Sequence, residues 1–260
     1  MRNNLLLAAG TGLLSAILLM IAASGSLTVT LLAYLTPLPL LILGLSGKNY
    51  AGVAGAVAAL VLFLVTTPLV AIIYFFLVAL PVTLFCDNAT QMPPRPSSHQ
   101  GVPATLPSTS AGHLCALISA IPAVLLTILF MYFWFQQNEN TGSVLSKTAE
   151  SIMTTYQNAL IEKNVAISPE VGKQLLLIKN TLINTAPALI GIFWMTLFLI
   201  NAMIARHVLT RFTKTPPAAF KLSQIDLPHW VMIVFISSGL LGAGLDGEFG
   251  LYSTNLAAII

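Results

Sequence analysis

The sequence predicts an all-α protein that spans a membrane several times, because its apolar runs are long and its charged residues are few. Hydrophobic residues make up 57% of the 260 and charged residues only 7%, where soluble domains carry about 25% charged residues. No Asp, Glu, Lys or Arg occurs between Leu5 and Gly47, or between Asn49 and Cys86. A membrane helix needs roughly 20 apolar residues, so each run has room for two spans. The predicted fold is therefore a polytopic transmembrane helix bundle.

Seven apolar segments have the length of membrane spans. They are Leu5–Ser24, Leu27–Leu45, Tyr50–Thr66, Leu69–Phe85, Leu114–Phe135, Leu182–Ala205 and Trp230–Leu245. An eighth apolar segment begins at Phe249 and is about 18 Å long at Ile260, short of the ~30 Å hydrocarbon core. We expect this last span to continue beyond Ile260, which gives about seven or eight spans. The first segment follows Arg2 as a signal peptide would, but its apolar stretch exceeds the roughly 7 to 15 residues of a signal sequence, so we interpret it as a retained span.

Polar segments divide these spans into groups. Spans 1–4 occupy residues 1–86, span 5 occupies 114–135, and spans 6, 7 and the shortened eighth occupy 182–260. The stretch Asp87–His113 contains five prolines and many Ser and Thr residues, a composition that cannot bury a core and predicts a disordered cytoplasmic linker.

Residues 136–181 are predicted to form an external amphipathic helical hairpin. The apolar face of its first helix recurs at three- and four-residue intervals, at Leu145, Ala149, Ile152, Tyr156 and Leu160. Ser168, Pro169 and Glu170 have the pattern of a helix start. No further proline follows until Pro187, so this second helix is predicted to run directly into the sixth span and to kink near Pro187.

The distribution of basic residues predicts the orientation. With the N-terminus in the cytoplasm, the inner segments carry Arg2, Lys48, Arg95, Arg206, Arg211, Lys214 and Lys221, as the positive-inside rule requires. We therefore expect a multi-pass protein of the bacterial cytoplasmic (inner) membrane whose surroundings are membrane lipids. Basic residues do not alternate with aromatic ones along a stripe, so nucleic acid is not an expected partner.

Pro37 and Pro39 interrupt the second predicted span. In a helix interior each would cost about 3 kcal/mol, and within a membrane prolines are tolerated where the freed carbonyls find other partners. Two interpretations are open at this point. The prolines either make a packing kink or break the helix so that it lines a binding site.

Polar residues near helix-interior prolines are the candidate ligand-binding residues. Tyr34 lies just before Pro37, and Asn184 lies a turn before Pro187 at a similar predicted depth, so we expect both to face one cavity. Such a neutral cavity suits a small, weakly charged ligand, because a phosphate would require Arg or Lys nearby. Asn201 is near the face of Pro187 and either ties helices together or adds to the site.

Asp246 and Glu248 are the remaining candidates. They form a close acid pair at the turn before the last span, which is either a polar turn or a contact for a cation. The complete candidate set is Tyr34, Pro37, Pro39, Asn184, Asn201, Asp246 and Glu248.

The types of side chain within the spans argue against catalysis. No Asp, Glu, Lys, Arg or His lies within a predicted span, which disfavours a proton-coupled mechanism. The four histidines are scattered without ligand spacing, and Cys86 and Cys115 are interpreted as reduced thiols. We therefore expect no enzyme activity, no bound metal and no cofactor.

Small residues recur every four positions on three spans. Ala8, Gly12 and Ala16 form such a row on the first span, and rows of this kind allow helix backbones to approach closely.

The segment NTAPALIGIFWMTLFLINAMIARHVLTRF, followed by FKLSQIDLPHW, resembles the YybS-like family of uncharacterised bacterial membrane proteins, as does the early LTPLPLLILGL. That family is distantly similar to the substrate-binding membrane subunits of energy-coupling-factor vitamin transporters. The resemblance implies a small-molecule-binding transport subunit in which Ala8, Gly12 and Ala16 dock an energising partner. The alternative is a non-transporting scaffold or assembly factor of the cell envelope that acts through the external hairpin.

Overall fold

The computed structural model contains α-helices and no β-strand in the part of the chain that it describes. The described residues are 2–22, 32–48, 50–90, 111–136, 169–212 and 227–260, with isolated positions between 146 and 158. The chain divides into two compact units. The first unit comprises Met1–Ile118 and Met195–Leu227, and the second comprises Ser119–Trp194 and Pro228–Ile260.

The helices are numbered in chain order. They are α1 (Arg2–Ala22), α2 (Pro37–Leu43), α3 (Ala51–Val65), α4 (Pro68–Tyr74), α5 (Leu80–Thr90), α6 (Ala111–Gln136), α7 (Pro169–Phe212), α8 (His229–Gly244) and α9 (Gly247–Ile259). A kinked segment, Gly44–Lys48, follows α2, and a π-helical turn, Phe75–Ala79, joins α4 to α5. Gly47 has a φ of 77°, a value that glycine adopts without steric cost.

The described helices agree with the predicted spans. Four are long and apolar enough to cross a membrane: Asn3–Ala22, Pro68–Ala89, Gly112–Tyr132 and Asn184–Phe212. Three shorter apolar helices, Pro37–Gly47, Ala51–Val65 and His229–Gly244, correspond to the second, third and seventh predicted spans. The predicted all-α membrane fold is confirmed.

Close helix packing in the first unit depends on small residues. A Cβ atom on Gly12 would overlap the carbonyl oxygen of Ala54 on α3, and one on Gly55 would lie 2.8 Å from the Cβ of Ala79. Ala8 and Ala16, one turn either side of Gly12, are completely buried. The row on α1 is thus covered by α3 of the same chain. Its predicted docking role stays a prediction, and α3 would have to move away to allow it.

Aromatic and small residues pack α6, α8 and α9 in the second unit. The ring of Phe130 on α6 stacks on Tyr252 of α9, with centroids 4.4 Å apart. On α8, a Cβ atom at Gly242 would overlap the side chain of Thr254. Gly247 has a φ of 79° at the turn between α8 and α9.

Helix α7 is continuous from Pro169 to Phe212 and contains Pro187 in its interior. At about 1.5 Å per residue its 44 residues extend for roughly 66 Å, about twice the hydrocarbon thickness. The second hairpin helix and the sixth span are therefore one helix, as predicted. The predicted apolar face of the first hairpin helix, Leu145–Leu160, is outside the described residues, although helical positions are described beside it.

The ends of the predicted linker are helical. Helix α5 extends to Thr90, and α6 begins at Ala111, where the sequence predicts disorder from Asp87 to His113. Within α5, Asn88 donates a hydrogen bond from Nδ2 to the carbonyl of Leu84 at 2.7 Å. The predicted disorder of the middle of this segment is outside the described residues.

Candidate binding site at a broken helix

The second predicted span is interrupted before Pro37 by a turn with i→i+3 backbone hydrogen bonds. Leu32 and Ala33 are helical, Tyr34–Thr36 form a turn, and α2 begins with Pro37 as its first residue. Proline is well tolerated at this position, since the first N–H groups of a helix have no intrahelical partner. The interruption of the helix is thus observed, and whether it is a packing kink or lines a binding site stays a prediction. We call residues Tyr34–Thr36 the break turn.

Asn201 of α7 bonds to the Tyr34 carbonyl, which the break turn leaves without its helical partner. In a regular helix the Tyr34 carbonyl would accept the N–H of Leu38, but that N–H bonds to the carbonyl of Leu35 at 3.0 Å. Nδ2 of Asn201 donates to the Tyr34 carbonyl instead, at 2.7 Å, and also to the carbonyl of Leu197 at 2.8 Å. The Asn201 side chain therefore ties α7 to the break turn, within the first unit.

Ser15 of α1 and Tyr74 of α4 extend this polar cluster. Ser15 Oγ donates to the carbonyl of Thr36 at 2.7 Å, and the Tyr74 hydroxyl lies 2.7 Å from Ser15 Oγ. Because a serine hydroxyl has one hydrogen and Ser15 donates it to Thr36, Tyr74 is the donor of the second bond. Both side chains are buried. A chain of hydrogen bonds therefore leads from Tyr74 through Ser15 to the break turn.

Two oxygens of the cluster have no hydrogen-bond partner among the described residues. They are Thr36 Oγ1 and Asn201 Oδ1, and their residues are only 1% and 2% exposed. An unsatisfied buried polar group costs about 1–3 kcal/mol, and such groups in native proteins usually have a structural or functional explanation. The break turn is the candidate binding site for this reason.

A second proline interruption occurs in α7 within the second unit. Asn255 of α9 accepts the N–H of Ala188 through Oδ1 at 2.9 Å and donates from Nδ2 to the carbonyl of Asn184 at 2.8 Å. Ala188 and Asn184 are the donor and acceptor that a regular helix pairs, and Pro187 lies between them. The Asn255 amide thus bridges the helix beside its proline.

Asn255 uses all of its hydrogen-bonding groups. Besides these two bonds, its Nδ2 donates to the carbonyl of Leu251 at 2.8 Å. Its side chain is 2% exposed, and neither of its polar atoms is left without a partner.

The predicted residues Tyr34 and Asn184 contribute their backbone carbonyls. The side chain of Tyr34 is 37% exposed, and Asn184 is exposed as well. Tyr34 belongs to the first unit and Asn184 to the second, so the shared cavity predicted for them stays a prediction.

The predicted acid pair lies at the start of α9. Asp246 is the residue before the helix, is exposed, and makes no side-chain capping hydrogen bond, and Glu248 is in the first turn. Acidic residues at this end of a helix are favoured by the helix dipole, and the predicted contact with a cation stays a prediction.

Sequence reasoning singled out Pro37, Pro39 and Asn201 but missed Ser15, Thr36, Tyr74 and Asn255. A signal for Asn255 was available, because a carboxamide in an apolar helix requires partners and Pro187 leaves backbone groups in need of them. The pairing of Ser15 with Thr36 joins residues 21 positions apart, and no sequence pattern indicates it.

A model of one protein family matches residues 104–260, more than half of the chain, and its description reads "Predicted membrane protein (DUF2232)". The chain belongs to this family. The part that matches the DUF2232 family includes Asn201 and Asn255, whereas the break turn precedes it. No curated protein and no solved structure matches the chain.

Proposed function

We propose that this membrane protein binds a small polar ligand at the break turn and acts as the ligand-binding component of a transport system. The observation that carries the proposal is the pair of buried, unpartnered oxygens, Thr36 Oγ1 and Asn201 Oδ1. Binding sites in membrane transporters commonly lie at interrupted helices, where backbone and side-chain oxygens face a cavity. The proposed role is binding rather than catalysis.

The finer parts of the proposal come from the sequence. The resemblance to YybS-like proteins and, more distantly, to energy-coupling-factor subunits supports a transport role, and an energising membrane partner would accompany it. The location in the bacterial inner membrane with a cytoplasmic N-terminus rests on the distribution of Lys and Arg.

A ligand screen on the purified protein tests the proposal. The melting temperature of the full chain is measured with a library of small polar solutes, in parallel for the wild type and for Thr36→Val. A ligand at ten times its Kd adds about 1.4 kcal/mol, which corresponds to roughly 3–6 °C for a protein of this size. We expect at least one solute to stabilise the wild type and not the variant. Equal responses of the two proteins to every solute would remove the break turn as the site.

The matched control for this screen is Thr127→Val in the second unit. The Thr127 hydroxyl already has partners, the carbonyl of Ala123 and the hydroxyl of Tyr252, both at 2.8 Å. Ligand stabilisation should survive this substitution, because Thr127 is not part of the proposed site.

A second candidate function is a scaffold that acts through the external hairpin. Lys179 Nζ and Glu150 Oε1 form an ion pair at 2.5 Å, which joins α7 to the first hairpin helix. Leu177 and Ile178, beside this pair, are 67% and 57% exposed. These two residues precede Asn184–Phe212, the part of α7 that is apolar enough to cross a membrane. An exposed apolar surface there is one that a protein partner would cover.

Site-specific photo-crosslinking in membranes distinguishes the scaffold from the binding protein. A crosslinker at Ile178 should give one discrete protein adduct if the hairpin has a partner, and a crosslinker at the exposed, polar Lys173 serves as the control. Absence of an adduct specific to Ile178 would leave ligand binding as the better proposal.

A further inference from the structure

The polar groups around the break turn have almost no hydrogen left to donate. Ser15, Tyr74 and both N–H groups of the Asn201 amide already donate to protein oxygens. The backbone N–H groups of Thr36 and Leu38 are used within the turn, at 3.1 and 3.0 Å. Among these groups, the Thr36 hydroxyl alone keeps an undonated hydrogen.

The prolines remove two further donors. Helix starts usually attract anions because their first N–H groups are free, but Pro37 and Pro39 have no N–H. The atoms of the cluster that remain unsatisfied are oxygens, Asn201 Oδ1 and Thr36 Oγ1, and the third buried atom without a partner among the described residues is a donor, Arg206 Nε. The carbonyls at the turn, such as that of Leu35, keep a second lone pair each. Because the Thr36 hydroxyl is the one remaining donor among these groups, a ligand at this place meets mainly acceptors and should bring hydrogen-bond donors or positive charge.

We infer that the break turn binds a single positive charge, carried by an alkali metal ion or by the ammonium group of a small amine. This inference rests on the proposed function and specifies its ligand. Neutral side-chain and backbone oxygens coordinate monovalent ions at interrupted membrane helices. Divalent ions prefer carboxylates, and no Asp or Glu occurs between Leu5 and Cys86.

The basic residue that follows Asn201 on α7 starts from a different face of the helix, and its Nε is itself a buried donor without a partner among the described residues. Arg206 is five residues further along, which at about 100° per residue places it roughly 140° around the helix. Its axial distance is about 7.5 Å by the same geometry. The Asn201 side chain that bonds to the break turn therefore projects from a different face of α7.

Thermal unfolding in different chloride salts tests the inference. The full chain is studied in detergent with NaCl, KCl or methylammonium chloride, each replaced stepwise by choline chloride at constant ionic strength. We expect a saturable rise of the melting temperature of about 3–6 °C at ten times the Kd for at least one of the first three salts. Saturation by Na⁺ or K⁺ identifies an alkali ion, and saturation by methylammonium alone identifies an amine.

Two variants locate the effect. Thr36→Val should abolish the saturable rise, since it removes one of the two free oxygens while it preserves the shape of the side chain. Thr127→Val should retain the rise from a lower starting temperature, because its hydroxyl has protein partners.

The negative outcomes separate this inference from the proposed function. If no salt differs from choline chloride, or if Thr36→Val keeps the rise, the cation site is wrong. If a neutral solute then stabilises the wild type and not Thr36→Val, the proposed function stands and only the ligand class is overturned. If neither cations nor solutes act through Thr36, both proposals fail.

Discussion

In each unit an asparagine amide bonds to backbone groups beside a proline interruption of a helix. The two amides differ in how many of their polar atoms have hydrogen-bond partners. In the second unit the Asn255 amide bridges Ala188 and Asn184 and leaves no polar atom without a partner. In the first unit the Asn201 amide also satisfies a freed carbonyl, but its own oxygen stays unpaired. When every polar atom of such an asparagine has a hydrogen-bond partner, its role in the fold is sufficient to explain its presence at the interrupted helix. An unused oxygen, by contrast, indicates capacity for a ligand.

The helices that supply these amides differ as well. Asn255 comes from α9, which follows α8 after a tight turn, and Pro122, Gly191 and Ile259 pack closely in the same unit. Asn201 comes from the C-terminal half of α7, close in sequence to the interruption that Asn255 repairs. One long helix thus receives an amide at Pro187 and provides another one about four turns later.

The largest effect is expected for Asn255→Leu. The substitution leaves the N–H of Ala188 and the carbonyl of Asn184 without their side-chain partner in a buried place. At about 1–3 kcal/mol for a buried unsatisfied group, we expect the free energy of unfolding to fall by about 2–3 kcal/mol. Denaturant titration in mixed micelles measures it.

Asn184→Ala is the control for this prediction. Asn184 is exposed and contributes its carbonyl to the bridge, so its side chain should be dispensable and the change within about 0.5 kcal/mol. A large loss at Asn184 with a small loss at Asn255 would contradict the bridging role.

Gly12→Ala should have the next largest effect, because it acts on the helix that presents Ser15 to the break turn. Its Cβ would overlap the carbonyl oxygen of Ala54, and overpacking of this kind costs about 1–3 kcal/mol. Gly10→Ala is the matched control, as a Cβ there meets nothing within 4 Å. Circular dichroism melts of both variants make the comparison, and equal melting temperatures would exclude tight packing of α1 on α3.

Asn201→Leu should cost less than Asn255→Leu. The substitution leaves the Tyr34 carbonyl without its donor, which destabilises the protein. It also removes the unpaired Oδ1, which stabilises the protein and partly offsets that loss. We expect a net loss of about 1 kcal/mol, close to the range of single polar contacts in membrane proteins. The same denaturant titration applies, and a loss as large as that of Asn255→Leu would mean that the two amides are equivalent.

Much of the fold is predictable from sequence because membrane spans depend on local composition. The apolar runs locate helices such as α1 and α3 to within a few residues, and Pro169 marks the start of α7 correctly. The predicted ends of the linker were wrong, because α5 continues to Thr90 and α6 begins at Ala111.

The site was predictable only in part. Pro37 and Asn201 were recognisable because proline and asparagine are costly within a membrane and therefore need a reason. The contact between Asn201 and the break turn is tertiary, because it joins Asn201 to Tyr34, 167 positions apart. Thr36 resembled any other small polar residue in an apolar segment, and only its burial without a partner distinguishes it.

Threonine-to-valine substitutions are expected to change the free energy of unfolding least. The sign of this change should differ between the two units. At Thr36 the hydroxyl is buried and unpaired, so its replacement by a methyl group removes a desolvation penalty. The free energy of unfolding should rise by up to about 1 kcal/mol in the absence of ligand. At Thr127 the same change removes bonds to Ala123 and Tyr252 and should lower it by about 1 kcal/mol. Both values are measured in choline chloride, where no alkali ion or small amine competes. If Thr36→Val is as destabilising as Thr127→Val, the Thr36 hydroxyl has a partner inside the protein, and the contrast between the two units would rest on Asn201 alone.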